Sequence, residues 1–102
     1  MLAKNAVAQG VQLRRAEVKS ARIRLLTGDT EAALRLLSHS VACGHDRLAL
    51  RRYFIARVLG AAGLDEFELF CGALARMFPQ EEVAVMARDA VAFADRARRS
   101  VT

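Results

Sequence analysis

Any chemistry in this chain must come from few side chains. The sequence holds two histidines and two cysteines. His39, Cys43 and His45 stand close together, and imidazole and thiolate are both zinc ligands. A structural zinc site takes about four ligands, however, and no suitable Cys/His pair lies elsewhere. No metal and no other cofactor is expected. Cys43 and Cys71 have neither metal nor redox spacing and are read as small hydrophobes on helix faces. There is no nucleophile–base pair, no glycine-rich phosphate loop and no pair of carboxylates in an apolar setting. The sequence does not predict an enzyme.

Two groups with recognition chemistry remain. Arg14, Arg15, Lys19, Arg22 and Arg24 gather in one stretch and could meet phosphates, although a solvated helix face is the commoner meaning of such a run. Tyr53 and Phe54 are adjacent aromatics. Phe54 suits a core, while the Tyr53 hydroxyl wants water or a partner.

The elements that carry these residues can be read from composition. The chain has 102 residues, one domain by length, spanning 1–102. Hydrophobic residues make up 54%, and with glycine added the apolar share exceeds the usual ~45–50%. In a small domain such a surplus leaves apolar surface exposed, which points to a partner. Ala, Leu and Arg dominate, proline occurs once, and no stretch alternates with period two. The fold is expected to be all-α. The net charge of +5 suits acidic partners without naming one. The first residues lack the apolar core of a signal peptide, and uncharged stretches fall short of a membrane span. A cytoplasmic, reducing location is expected, with no membrane partner.

Glycine and aspartate punctuate the helices. Gly10, Gly28, Gly44 and Gly63 are each expected to close a helical stretch. Asp29, Asp46 and Asp65 are placed to cap the next one, Asp65 with Glu68 as a capping box. Pro79 suits the first position of the last helix, with Glu81 and Glu82 in its first turn and Arg96, Arg98 and Arg99 near its end. This predicts helices near 2–9, 12–27, 29–43, 46–62, 65–78 and 80–100, the first two alternatively forming one helix through Gly10. Short connections make neighbours antiparallel. Apolar stripes run through Ala33, Leu34, Leu37 and Val41, through Phe67, Phe70, Leu74 and Phe78, and through Val83, Met86, Ala90, Phe93 and Ala97.

One frame is written twice. ARIRLLTGDTEAAL (21–34) and ARVLGAAGLDEFEL (56–69) share Ala-Arg, a later Gly, then Glu and Leu at matching positions. Helix pairs recurring at about 34 residues are the mark of a tetratricopeptide (TPR) solenoid. Residues 12–43 and 46–78 would be two such units, and the 2–9 helix the tail of an earlier one. Ala21, Ala56 and Ala33 would let the helices approach closely, and Gly28 and Gly63 would turn the chain. The match departs from the pattern at Glu17 and Arg52, where a large apolar residue belongs, at Glu68, where a small one belongs, and in the displacement of proline to Pro79. The expected architecture is a TPR-like antiparallel helical-hairpin solenoid of five to six helices.

Gly28, Glu31-Ala32-Ala33-Leu34, Tyr53-Phe54, Leu59-Gly60, Leu64-Asp65 and the final Phe93-Ala94 helix, taken in order, resemble the TPR-like needle-subunit chaperones of bacterial type III secretion systems. The resemblance covers roughly residues 20–100. It implies a cytoplasmic chaperone whose concave face holds an amphipathic helix of the needle subunit and blocks premature polymerisation, helped by a small helical co-chaperone. Recognition would be helix-in-groove. The first helix of each TPR-like pair lines the concave side, so Arg15, Val18, Arg22 and Leu25 in one unit and Leu50, Tyr53, Arg57 and Ala61 in the next are the expected partner-binding residues. Arg22 and Arg57 would clamp carboxylates. A general TPR-like adaptor or assembly protein is the first alternative. The second is a basic nucleic-acid-binding regulator, with 46–62 and 65–78 as a helix-turn-helix. Asp65, Glu66 and Glu68 would then face phosphates at the reading end, which argues against it.

Overall fold

Five helices follow one another in the computed structural model, which describes residues 10–100. They are α1 (Arg15–Leu25), α2 (Thr30–Ala42), α3 (Asp46–Leu59), α4 (Asp65–Ala75) and α5 (Gln80–Arg99). No strand occurs among the described residues, and none of their helices is long and apolar enough to cross a membrane. The expected 2–9 helix lies outside the described residues.

The chain is not helical where it enters α1, which corrects the predicted start at 12 and excludes one long helix through Gly10. Gly10 is left-handed at φ +70°. The Val11 amide donates to Ser38 Oγ at 2.6 Å and the Leu13 amide to His39 Nδ1 at 2.9 Å. Residues 10–14 thus spend two amides, those of Val11 and Leu13, on side chains of α2 and run as a strap across its end. The strap sits close. A Cβ on Gly10 would collide with the Ser38 carbonyl oxygen and lie 2.8 Å from the Ala42 amide nitrogen. Helix α1 starts where Glu17 can cap it, its Oε1 accepting from the Arg14 amide at 2.9 Å.

The capping expectations are met in part. The Asp29 carboxylate accepts from the amides of Glu31 and Ala32, as an N-cap should. Asp46 and Asp65 instead stand inside the first turns of α3 and α4, whose cap residues are His45 and Leu64, and the Asp65–Glu68 box does not form. Pro79 is the N-cap of α5 rather than its first residue, and the acidic start and basic end of that helix are as read. Gly60 closes α3, not Gly63. It takes φ +78°, while its amide donates to Arg57 O at 3.1 Å and that of Ala61 to Ala56 O at 3.0 Å. This paired closure satisfies the last carbonyls as soon as a glycine is available. Gly28 closes α1 with the same bonds, to Leu25 O and, through Asp29, to Arg24 O. The repeated frame therefore aligns in sequence, but its second glycine sits in a loop, beside Leu34.

Helices α1, α3 and α5 run in the same direction. Arg47 at the start of α3 pairs with Glu82 at the start of α5. At the other end Arg98 donates to Val58 O at 3.0 Å, and Ser100 Oγ to Leu26 O at 3.2 Å. Helix α2 runs against α1, with Glu17 near Arg35 at 3.8 Å and the strap near Ser38 and His39. Helix α5 packs on α3, and α3 also packs on α2 and α4. The molecule is 21 Å deep in its thinnest direction, about two helix diameters. One layer is α1, α3 and α5; the other is α2 and α4.

Small residues make the seams between layers. Ala21, Ala32, Ala49 and Ala56 are wholly buried, and so are Leu36, Leu37, Leu50 and Cys71. One contiguous core runs through all five helices. The expected stripes on α2, α4 and α5 face it. Phe67, Leu74, Met86, Ala90 and Ala97 are buried, while Leu34, Phe70, Phe78, Val83 and Phe93 are half-buried.

Candidate partner-binding groove

The outer face of α1 is a broad open trough of about 790 Å³. Its composition follows from the helix period. Arg15, Val18, Arg22 and Leu26 recur at three- and four-residue spacing, with Lys19 and Ile23 beside them, while Ala21 and Leu25 face inward. Leu13 on the strap and His39 on α2 close one side. Ile23 and Leu26 are each 59% exposed, more than a helix buried on one face requires. Apolar side chains and three cations, Arg15, Lys19 and Arg22, line it together, with no carboxylate among them.

Across α3 lies a second, smaller depression, about 230 Å³, between α3 and α5. Arg51 and Ile55 line it from α3, and Asp89, Phe93 and Arg96 from α5. Arg52, also on α3, lines neither the trough nor the depression. Its side chain is largely sunk, and Nε and Nη1 are sealed from solvent without a hydrogen-bond partner. Burial, then the charges of Arg22 and Arg51, lowers its pKa from the usual arginine value. A guanidinium nonetheless stays protonated in proteins. Arg24, Arg35, Arg47 and Arg98 each have a carboxylate within reach. None of the described carboxylates pairs with Arg22, Arg51 or Arg52.

Of the expected recognition residues on α1, Arg15, Val18 and Arg22 line the trough and Leu25 is buried beneath it. On α3 the open face is displaced. Leu50 is wholly buried and Tyr53 is 6% exposed, so both support the groove from within the core and do not line it. Ala61 is half-buried beyond the end of α3 and packs on the core. Arg57 is exposed but donates from Nη1 to the Tyr53 hydroxyl at 3.2 Å, which leaves that hydroxyl partnered without any ligand. The α3 cation whose charge meets that of Arg22 is Arg52. Arg51, Arg52 and Ile55 were not legible as a face, because α3 packs on three other helices and no single apolar stripe fixes its rotation. The one signal was the misfit of Arg52 at a position that should be large and apolar.

His39 ties the trough to the strap. Its Nδ1 accepts the Leu13 amide, so the proton of the neutral ring is on Nε2. Burial, then the charges of Arg52 and His45, holds its pKa below the ordinary histidine value. The Cys43 sulfur lies 3.7 Å from the ring. His45 does not join them, and no group of three metal-ligating side chains forms among the described residues. A second exposed apolar strip, Leu69 and Met77 on and just after α4, lies in the other layer.

Compared with known proteins, the chain matches no family model, no curated protein and no solved structure.

Proposed function

We propose that this chain is a TPR-like helical interaction module whose groove holds an amphipathic helix of a protein partner. The observation that carries the reading is the trough on α1, where exposed apolar side chains and three cations share the outer face of the helix. The parallel α1, α3 and α5 on one layer, with α2 and α4 returning on the other, suit a solenoid of helix pairs with α5 as a closing helix. A surface of this kind suits an apolar stripe laid along it.

The specific role we propose is that of a chaperone for a needle subunit of a type III secretion apparatus. The resemblance in residues 20–100 supports it, and so does a module that needs no catalytic group. The chaperone would hold the subunit's amphipathic helix, keep it from polymerising, and act with a small helical co-chaperone in the cytoplasm. Co-expression tests this. The protein should aggregate or self-associate when made alone and become monodisperse with the needle subunit. Stable, monodisperse protein alone at high concentration, unaffected by the subunit, would count against the chaperone role and leave the general adaptor.

A further inference from the structure

The trough on α1 carries one sign of charge along its length. Arg15, Lys19 and Arg22 all line it, and all are exposed. At about 100° per residue they fall within a sector about 60° wide around the helix axis, so they form one row. Val18 falls on one side of that row and Ile23 on the other, with Leu26 at its end. None of the described carboxylates pairs with any of the three cations. Glu17, the one acid of α1, is engaged elsewhere: it accepts the Arg14 amide and lies near Arg35. Like charges four residues apart weaken a helix, and no acid of the trough offsets them.

We propose that the occupant of this groove is an acidic amphipathic helix, which lies along α1 with carboxylates three and four residues apart beside its apolar stripe. The proposal rests on the groove reading above and adds the charge of the partner. Charge complementarity selects this occupant. Two helices laid side by side share a rise of about 1.5 Å per residue, so acids at i, i+4 and i+7 keep step with Arg15, Lys19 and Arg22. The arginines can take a carboxylate in bidentate fashion, and the lysine takes one as a point charge. Val18, Ile23 and Leu26 then receive the apolar stripe. A second copy seated trough to trough would set cations against cations. A phosphodiester backbone offers nothing apolar to Ile23 and Leu26. A flat anionic bilayer does not follow a trough that Leu13 and His39 wall on one side.

The probe is a phage library of helical peptides, randomised on an apolar face and on the positions beside it, selected on the immobilised full chain. Enriched peptides should carry Asp or Glu beside the apolar stripe at three- and four-residue spacing. Changing those acids to their amides should weaken binding about tenfold at ~50 mM salt, the scale of three exposed ion pairs, and the gap should narrow as salt rises. The triple variant Arg15→Gln, Lys19→Gln, Arg22→Gln should bind the acid and amide peptides equally, at the affinity the unaltered protein has for the amide peptide. Should that variant fail to fold, Lys19→Glu alone makes the same test, weakening the acid peptide about threefold or more and sparing the amide peptide. Enriched helices without acids, or indifference to the amides, overturn the acidic partner and leave the groove standing. A library without binders overturns both. An acid preference that survives the variant comes from charge elsewhere on the protein and overturns the proposal. So does duplex DNA, or a vesicle of phosphatidylserine and phosphatidylcholine, that the variant no longer binds and the acid peptide cannot displace.

Discussion

At the residue scale, environment has separated side chains of one type. Cys71 is wholly buried, and burial pushes its thiol pKa to about 12; Cys43 is half-buried at the end of α2. A thiol reagent should therefore modify Cys43 in the native protein and Cys71 only on unfolding, with mass spectrometry of labelled peptides over a urea series as the measurement. Cys71 labelling in the native state would mean that α4 opens locally. His39 predicts a pH effect with a definite sign. Its folded pKa lies below the unfolded value of about 6.5, so the unfolded chain binds the extra proton first. Its stabilisation is complete above that pH and is lost as pH falls through the folded value. Wild-type melting temperature should drop on acidification below about pH 6.5, and His39→Gln should show a smaller drop. Protonation also removes the Nδ1 acceptor of the Leu13 amide, so hydrogen exchange at Leu13 should quicken in the same window.

At the element scale, helix ends are set by local bonds and can be tested one at a time. Asp29→Ala removes an acceptor shared by two amides at the start of α2 and should cost about 1 kcal/mol in urea unfolding. Gly60→Ala puts a Cβ on a left-handed residue and should cost about 1–2 kcal/mol. If Gly60→Ala is neutral, α3 does not end there and Gly63 regains the role. These ends also show what was readable. Asp29 precedes a clear apolar stripe, so its cap was legible. Asp46 and Asp65 carry the same signal and the helices do begin there, yet the caps stand one residue earlier, because His45 and Leu64 already supply the cap carbonyls. Gly60 and Gly63 are both acceptable terminators, and the paired bonds from Gly60 and Ala61 close the helix at the first. The strap at 10–14 was not legible at all. Its Val11 and Leu13 amides go to Ser38 and His39, and no local pattern announces a bond across that sequence distance.

At the scale of the whole molecule, support and surface are different residues. Leu50 is wholly buried in the seam of α3 with its neighbours. Leu50→Ala should cost roughly 2–5 kcal/mol, and any loss of partner binding would follow from unfolding. Ile23→Ser and Leu26→Ser act on exposed trough residues. They should shift stability by no more than about 0.5 kcal/mol while abolishing capture of a helical peptide. Denaturant melts alongside peptide anisotropy separate the two classes; equal binding by Ile23→Ser would remove the trough from recognition.

The sequence by itself determined that this chain is helical, roughly where the helices lie, and that α2, α4 and α5 each turn an apolar stripe inward. Those properties depend on propensity and on a period of 3.6, both local. It also placed Arg15, Val18 and Arg22 on one face, since α1 has a single buried side. Only the tertiary structure decided the face of α3, because a helix packed on three neighbours has its rotation fixed by all of them together. That rotation buries Leu50 and Tyr53, turns Arg57 to Tyr53, and brings Arg52 near Arg22. The approach of Arg52 to Arg22 joins α3 to α1, and no spacing along one helix could have shown it.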